Sequence, residues 1–227
     1  MIRPTKHILV TCALLLYPFW AIAHGVSSAD QEILNDGGLL AYIYVGAKHM
    51  ITGYDHLLFL AGVVFYLSGI KDIVRFISVF TIGHSITLIG ATYLGIKANE
   101  HLIDAVIALS VLYKGFENLG FFEKKLKIKS PNLLLMVFVF GLIHGLGLST
   151  RLQSFEVGTG QFLMKIISFN VGVELGQVLA LIPFVFLITK WKPKKSYDAF
   201  YSAANYYLII AGVGLFIYQM IGYINGH

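Results

Sequence analysis

Residues 133–149 read LLLMVFVFGLIHGLGLS. The stretch holds no Asp, Glu, Lys or Arg, and its only ionisable group is His144. About 20 mostly apolar residues cross the hydrocarbon core of a bilayer as a helix, so this run reads as a membrane span. Comparable runs lie on both sides of it: Tyr54–Ile70, Val74–Gly95, Leu102–Gly120, Phe162–Thr189 and Phe200–Tyr223. With Leu133–Ser149 they make six expected spans. Leu39–Met50 is apolar but short and reads as a half-helix, which Gly53 separates from the first span. The fifth span is long, and Pro183 predicts a tilt or kink in it. The expected fold is therefore an all-α bundle of about six transmembrane helices plus a short N-terminal half-helix. No internal repeat stands out.

Composition agrees. Of 227 residues, 57% are hydrophobic and 13% charged, and mean hydropathy is +0.74. Soluble domains carry about 25% charged residues. The spans leave no room for a separate soluble domain, so residues 39–227 read as a single transmembrane domain. The net charge of +5 does not point to nucleic acid, because the basic residues sit in short loops between apolar runs. With the mature N-terminus outside, the inner loops hold Lys71, Arg75, Lys124, Lys125, Lys127, Lys129, Lys190, Lys192, Lys194 and Lys195. The outer connections hold Lys48, Lys97, Arg151 and Lys165. This asymmetry follows the positive-inside rule.

The N-terminus reads as a cleavable signal peptide over residues 1–23. Arg3 and Lys6 precede an apolar core from Ile8 to Trp20, and Ala21-Ile22-Ala23 comes directly after it. An uncleaved first transmembrane helix is the alternative. Cys12, the single cysteine, lies inside this segment. Cleavage would leave His24 at the terminus, where a free amine beside an imidazole chelates a divalent metal. Residues 24–38 then form a polar extracytoplasmic segment. The expected location is the bacterial inner membrane, with the mature N-terminus periplasmic.

Ionisable side chains at membrane depth are costly and mark functional sites unless a partner explains them. His49, Asp55 and His56 lie in KHMITGYDHLLFL, and the glycine bend lets them converge. Without thiolates, imidazole and carboxylate suit Ni²⁺, Co²⁺ or Zn²⁺. The plainer reading is an Asp–His pair that pins a helix end. His84 in FTIGHSITL is flanked by Thr81, Ser85 and Thr87; it is either a polar seam or a histidine bonded to a neighbouring helix. His144 lies among Gly141, Gly145 and Gly147, which allow close helix packing. Asn170, Glu174 and Gln177 share a face by their i+4 and i+3 spacing. Asp104, Glu117 and Asn118 fall near the ends of the third span; for Glu117 an i,i+3 ion pair with Lys114 is the stronger reading. Glu100 and His101 read as loop residues. On this topology the groups are expected at successive depths, from His49, Asp55, His56 and His144 through His84 and Glu174 to Glu117 and Asn118.

The strings HMITGYDHLLFL, FTIGHSITL, DAVIALSVLYKGFEN, FGLIHGLGLS and FNVGVELGQ, in this order, resemble the HupE/UreJ family of bacterial membrane proteins from about Gly46 to Leu181. The resemblance implies permease-like uptake of nickel, or cobalt in some members. It implies His49, Asp55, His56, His84, His144 and Glu174 as the metal-handling positions, and it strengthens His24. Asp104 stands where the resemblance leads one to expect glutamate, and Gly25 follows His24 where many members carry proline.

The leading expectation is thus a transporter of a divalent transition metal that holds no prosthetic group. Its expected partners are lipid and the metal ion, with a homo-oligomer open. No phosphate-binding loop is present to supply energy from a nucleotide. Two other classes stay in view: an intramembrane zinc hydrolase, which needs three ligands at one point, and a membrane protein that binds metal without moving it.

Overall fold

The computed structural model describes residues 28–153 and 162–226. The signal-peptide reading, Cys12 and His24 lie outside these residues. The described chain is helical: α1 (Ser28–Asp36), α2 (Leu39–Thr52), α3 (Tyr54–Val63, extended by a 3₁₀ turn over Val64–Tyr66), α4 (Ile70–Tyr93), α5 (Glu100–Asn118), α6 (Phe121–Lys124), α7 (Leu133–Leu152), α8 (Phe162–Trp191) and α9 (Tyr197–Asn225). No strand occurs among the described residues.

By length and apolar composition α4, α7, α8 and α9 can cross a membrane. The expected third span, α5, carries Glu100, Asp104, Lys114 and Glu117 in its 19 residues, which sets it apart from those four. The expected span Tyr54–Ile70 is shorter than the sequence suggested. Its helix ends with the 3₁₀ turn at Tyr66, and Leu67 is extended. The Asp72 carboxylate accepts from the Ser68 N–H at 2.9 Å, so α4 starts at Ile70 instead of Val74. With α2 stopping at Gly53, α2 and α3 are two consecutive half-helices. Residues expected in loops also change place. Glu100 and His101 open α5, and Arg151 lies buried in the last turn of α7. α8 runs through Pro183 without a break.

Two helix pairs are packed in the same way. In the α2–α8 pair, a Cβ on Gly46 would strike the Phe169 carbonyl. One on Gly172 would strike Ile43, and one on Gly176 would strike Met50 and Ala47. In the α4–α7 pair, a Cβ on Gly83 would strike Phe138, one on Gly141 Phe80, and one on Gly145 His84. Residue numbers rise together in each pair, so both pairs are parallel. Small residues let backbones touch, the packing that works where lipid replaces water. The sequence shows no such repeat because each pair unites distant segments.

Direction is set by the aromatic contacts. Phe65 packs on Phe200 with ring centres 6.3 Å apart, and Trp191 stacks on Phe200 at 4.4 Å. α4 begins shortly after Phe65, so α4 starts where α8 ends. The two helices are antiparallel. Lys71, Arg75, Lys190, Lys192, Lys194 and Lys195 gather at this end, here called the basic end.

Candidate metal centre

The break at Gly53 builds the centre. A Cβ there would come within 2.6 Å of His56 Nδ1, so only glycine lets the imidazole lie back over the bend. Asp55 falls in the first turn of α3, where the helix dipole favours a negative charge. Its Oδ1 accepts from His56 Nδ1 at 2.8 Å. The Asp–His pair expected from the sequence is present.

His144 reaches the same place from α7. Its ring centre is 4.9 Å from that of His56. Its Nδ1 donates to the Phe140 carbonyl at 2.7 Å. A carbonyl can only accept, so the proton of the neutral ring is on Nδ1 and the lone pair is on Nε2. That Nε2 is buried and has no hydrogen-bond partner. A buried unpaired acceptor is costly, and a cation or a hydrogen-bond donor would answer it. Asp55, His56 and His144, all buried, each offer one ligand atom within 4.8 Å of the others. Ligands about 2.1 Å from a tetrahedral metal stand roughly 3.4 Å apart, so at most small side-chain rotations close the set.

His49 borders the three, its ring edge-on to His56 with centres 4.9 Å apart. His84 lies on the far side of Phe80, on which it stacks at 5.9 Å. Its Nδ1 bonds Asn170 Oδ1 across to α8 at 2.9 Å, the cross-helix bond that was the plainer reading of this residue. His56, His84 and His144 thus share one tautomer logic: an oxygen holds Nδ1 and Nε2 keeps its lone pair. Such outer-sphere bonds orient metal-binding imidazoles. The expected succession of depths changes at His84. Gly141 and Gly145 of α7 flank the His84 backbone, so His84 and His144 are level, and the four histidines form one layer. A histidine's depth was judged from its place in its own span, and that ignores where neighbouring helices start.

Toward the basic end the layer is closed by Phe59, Phe76, Phe80 and Phe140. Phe59 meets the other three with centres 5.0 to 6.4 Å apart. Beyond this wall lies a second polar group. Lys114 forms a buried i,i+3 ion pair with Glu117, as the spacing predicted, and caps the Tyr66 ring at 4.2 Å. Tyr113 donates to Glu117 at 3.2 Å. Asn118 donates to the Gly62 carbonyl at 2.9 Å and to Asn205 at 2.6 Å.

Glu174, expected among the metal positions, is half-buried, one turn along α8 from Asn170. Its carboxylate makes no hydrogen bond or ion pair with a described residue. Gln177 on the same helix is wholly buried, and both its amide atoms lack partners. Asp104 is engaged elsewhere: Arg151 Nη2 donates to it at 2.5 Å, and Gln219 donates at 3.3 Å. His101 bonds Gln219 at 2.8 Å. Sequence reasoning did not single out Arg151, Asn205 or Gln219 as buried polar residues. For Asn205 and Gln219 the signal was present, a polar side chain inside the apolar run Phe200–Tyr223.

A family model described as HupE / UreJ protein matches residues 28–226. No curated protein and no solved structure matches the chain.

Proposed function

The chain belongs to the HupE/UreJ family, and from that premise we propose that it carries a divalent transition-metal ion, Ni²⁺ first and Co²⁺ second, inward across the bacterial inner membrane. The family is associated with nickel and cobalt transport. The observation that supports this most strongly is His144 Nε2, buried and unpartnered beside His56 and Asp55. On this reading the basic end is cytoplasmic and the mature N-terminus periplasmic. The chain crosses with α4, α5, α7, α8 and α9, and the half-helices α2 and α3, which meet at the histidine layer, together make the remaining crossing. His49 receives the ion, while Asp55, His56 and His144 replace its hydration shell. His84 flanks them in the same layer, Glu174 stands next along α8, and the phenylalanine wall closes the inner side. His24, at the processed terminus, gathers metal ahead of the layer.

Convergence of three ligands also suits a catalytic zinc, and membership of a transporter-type family is what favours movement of the ion over hydrolysis. The test is uptake of radioactive nickel by cells that lack other nickel importers. Uptake above that of cells carrying His56→Ala is expected. Equal uptake by the two sinks the transport reading, and metal bound to the purified protein without uptake would identify a binding protein instead.

A further inference from the structure

The turn between α8 and α9 reads KWKPKKS over residues 190–196. It carries four lysines, and no acidic residue occurs between Glu174 and Asp198. Lys190, Lys192, Lys194 and Lys195 are all exposed, and none of them pairs with a carboxylate among the described residues. A run of like charges repels itself and extends where nothing holds it. Here the backbone is held. The Lys192 N–H donates to the Ile188 carbonyl at 2.8 Å, the Lys194 N–H to the Trp191 carbonyl at 2.8 Å, and the Tyr197 N–H to the Lys194 carbonyl at 2.9 Å. Trp191 closes the turn with its side chain. The indole stacks on Phe200 with ring centres 4.4 Å apart, and its Nε1 donates to Ser196 Oγ at 2.8 Å. The chain thus presents four ammonium groups on a folded turn and supplies no counter-charge.

The surroundings of the turn suit a lipid. On α8, Phe186 and Leu187 are 60% and 58% exposed. The Lys190 ammonium lies over the Phe186 ring at 5.7 Å, so the basic surface runs directly into an apolar one. An indole with a polar N–H settles at the boundary between hydrocarbon and headgroups, and Trp191 stands at that junction. The packing of Phe65 on Phe200 brings the start of α4 to the same end. There Lys71 and Arg75 are exposed, and the neighbouring Asp72 carboxylate is engaged by the Ser68 N–H.

We propose that the α8–α9 turn binds the headgroup of an anionic phospholipid, with the phosphate held by Lys192, Lys194 and Lys195 and the acyl chains lying along Phe186 and Leu187. Basic clusters beside the end of a membrane helix attract anionic headgroups. The inference stands apart from the transport reading, because a chain that only bound metal would hold the lipid equally.

The experiment titrates phosphatidylglycerol, with phosphatidylcholine as the zwitterionic comparison, into the full chain purified in nonionic detergent. Native mass spectrometry counts the lipid bound. The wild-type protein is expected to keep phosphatidylglycerol under conditions that strip phosphatidylcholine. Each lysine near an anionic headgroup is worth about fivefold in affinity, so Lys192→Gln, Lys194→Gln and Lys195→Gln together should weaken binding about 100-fold. These side chains are exposed, so the melting temperature without lipid should match that of the wild type. Lys125→Gln, Lys127→Gln and Lys129→Gln together remove the same charge from another exposed loop and should bind nearly as well as the wild type. Equal weakening by the two triple variants would reveal a general attraction to positive charge and overturn the site. Equal retention of the two lipids by the wild type overturns it as well, and so does phosphatidylglycerol binding that survives in the first triple variant. Displacement of the lipid by inorganic phosphate would overturn the lipid assignment and leave a site for free anions.

Discussion

At one end of α3, Asp55, His56 and His144 come from two separate segments and leave a buried imidazole nitrogen without a partner. At the other end, Lys114 and Glu117 come from one helical turn and answer each other directly. Both groups are buried and both are costly in a membrane. In the second, the charges are matched within the chain, and tyrosine and asparagine side chains support them. In the first, no side chain among the described residues answers His144 Nε2. Burial of charge alone would have called both sites functional; whether the chain itself completes the partnership separates them.

The largest effect that can test this contrast lies at the inner pair. Glu117→Gln leaves Lys114 buried without its counter-charge, and removing one partner of a buried pair costs roughly 3–5 kcal/mol. A marked fall in thermal stability in detergent is expected, with nickel affinity unchanged in whatever protein stays folded. Replacing both partners, as Lys114→Met with Glu117→Leu, should recover most of the loss. If the double variant instead loses nickel uptake while staying stable, the pair has a transport role and the contrast breaks.

Next comes the open nitrogen. His144→Phe keeps the aromatic contacts with Phe80 and His56 but removes Nε2. Affinity for Ni²⁺ is expected to fall about 100-fold, near 2.8 kcal/mol at about 1.4 kcal/mol per tenfold. Thermal stability should fall only slightly, because Nε2 had no partner and the other loss is the single Nδ1–H bond to the Phe140 carbonyl, about 1 kcal/mol. Calorimetric titration of the purified protein reads the first, and a melting curve reads the second. A variant that melts far lower and binds as before would make His144 a packing residue.

Much of this was legible in the sequence, for reasons that differ by residue. The apolar runs gave the long helices because hydropathy is a property of a segment. Lys114–Glu117 and Asp55–His56 were visible because their partners are neighbours in the chain. The sequence grouped His49, Asp55, His56 and His144 at one depth, but it did not show their contacts, and it set His84 deeper. His144 is separated from His56 by two long helices, and only the glycine contacts between α4 and α7 place His84 level with it. Arg151 was misplaced for the same reason. A charge after an apolar run reads as a loop residue, and its counter-charge Asp104 is 47 positions away.

The smallest effect concerns the positioning of His84. Asn170 Oδ1 holds its Nδ1 from across the helix interface, so the ring cannot turn to offer the other nitrogen. Asn170→Ala frees the ring and leaves Nδ1–H unpaired. Outer-sphere bonds of this kind are worth about 10–100-fold in metal affinity. Because His84 stands behind Phe80 and outside the three closest ligand groups, the lower figure, about tenfold, is expected here. Asn170→Asp keeps an oxygen acceptor at the same reach and should bind nickel at least as well as the wild type, since a carboxylate accepts the same proton more strongly. A purely structural Asn170 would respond in the opposite order. A buried carboxylate would then be the more damaging change, and alanine the milder one. Comparing nickel affinity in these two variants therefore decides whether the His84–Asn170 bond belongs with the open cluster or with the self-satisfied one.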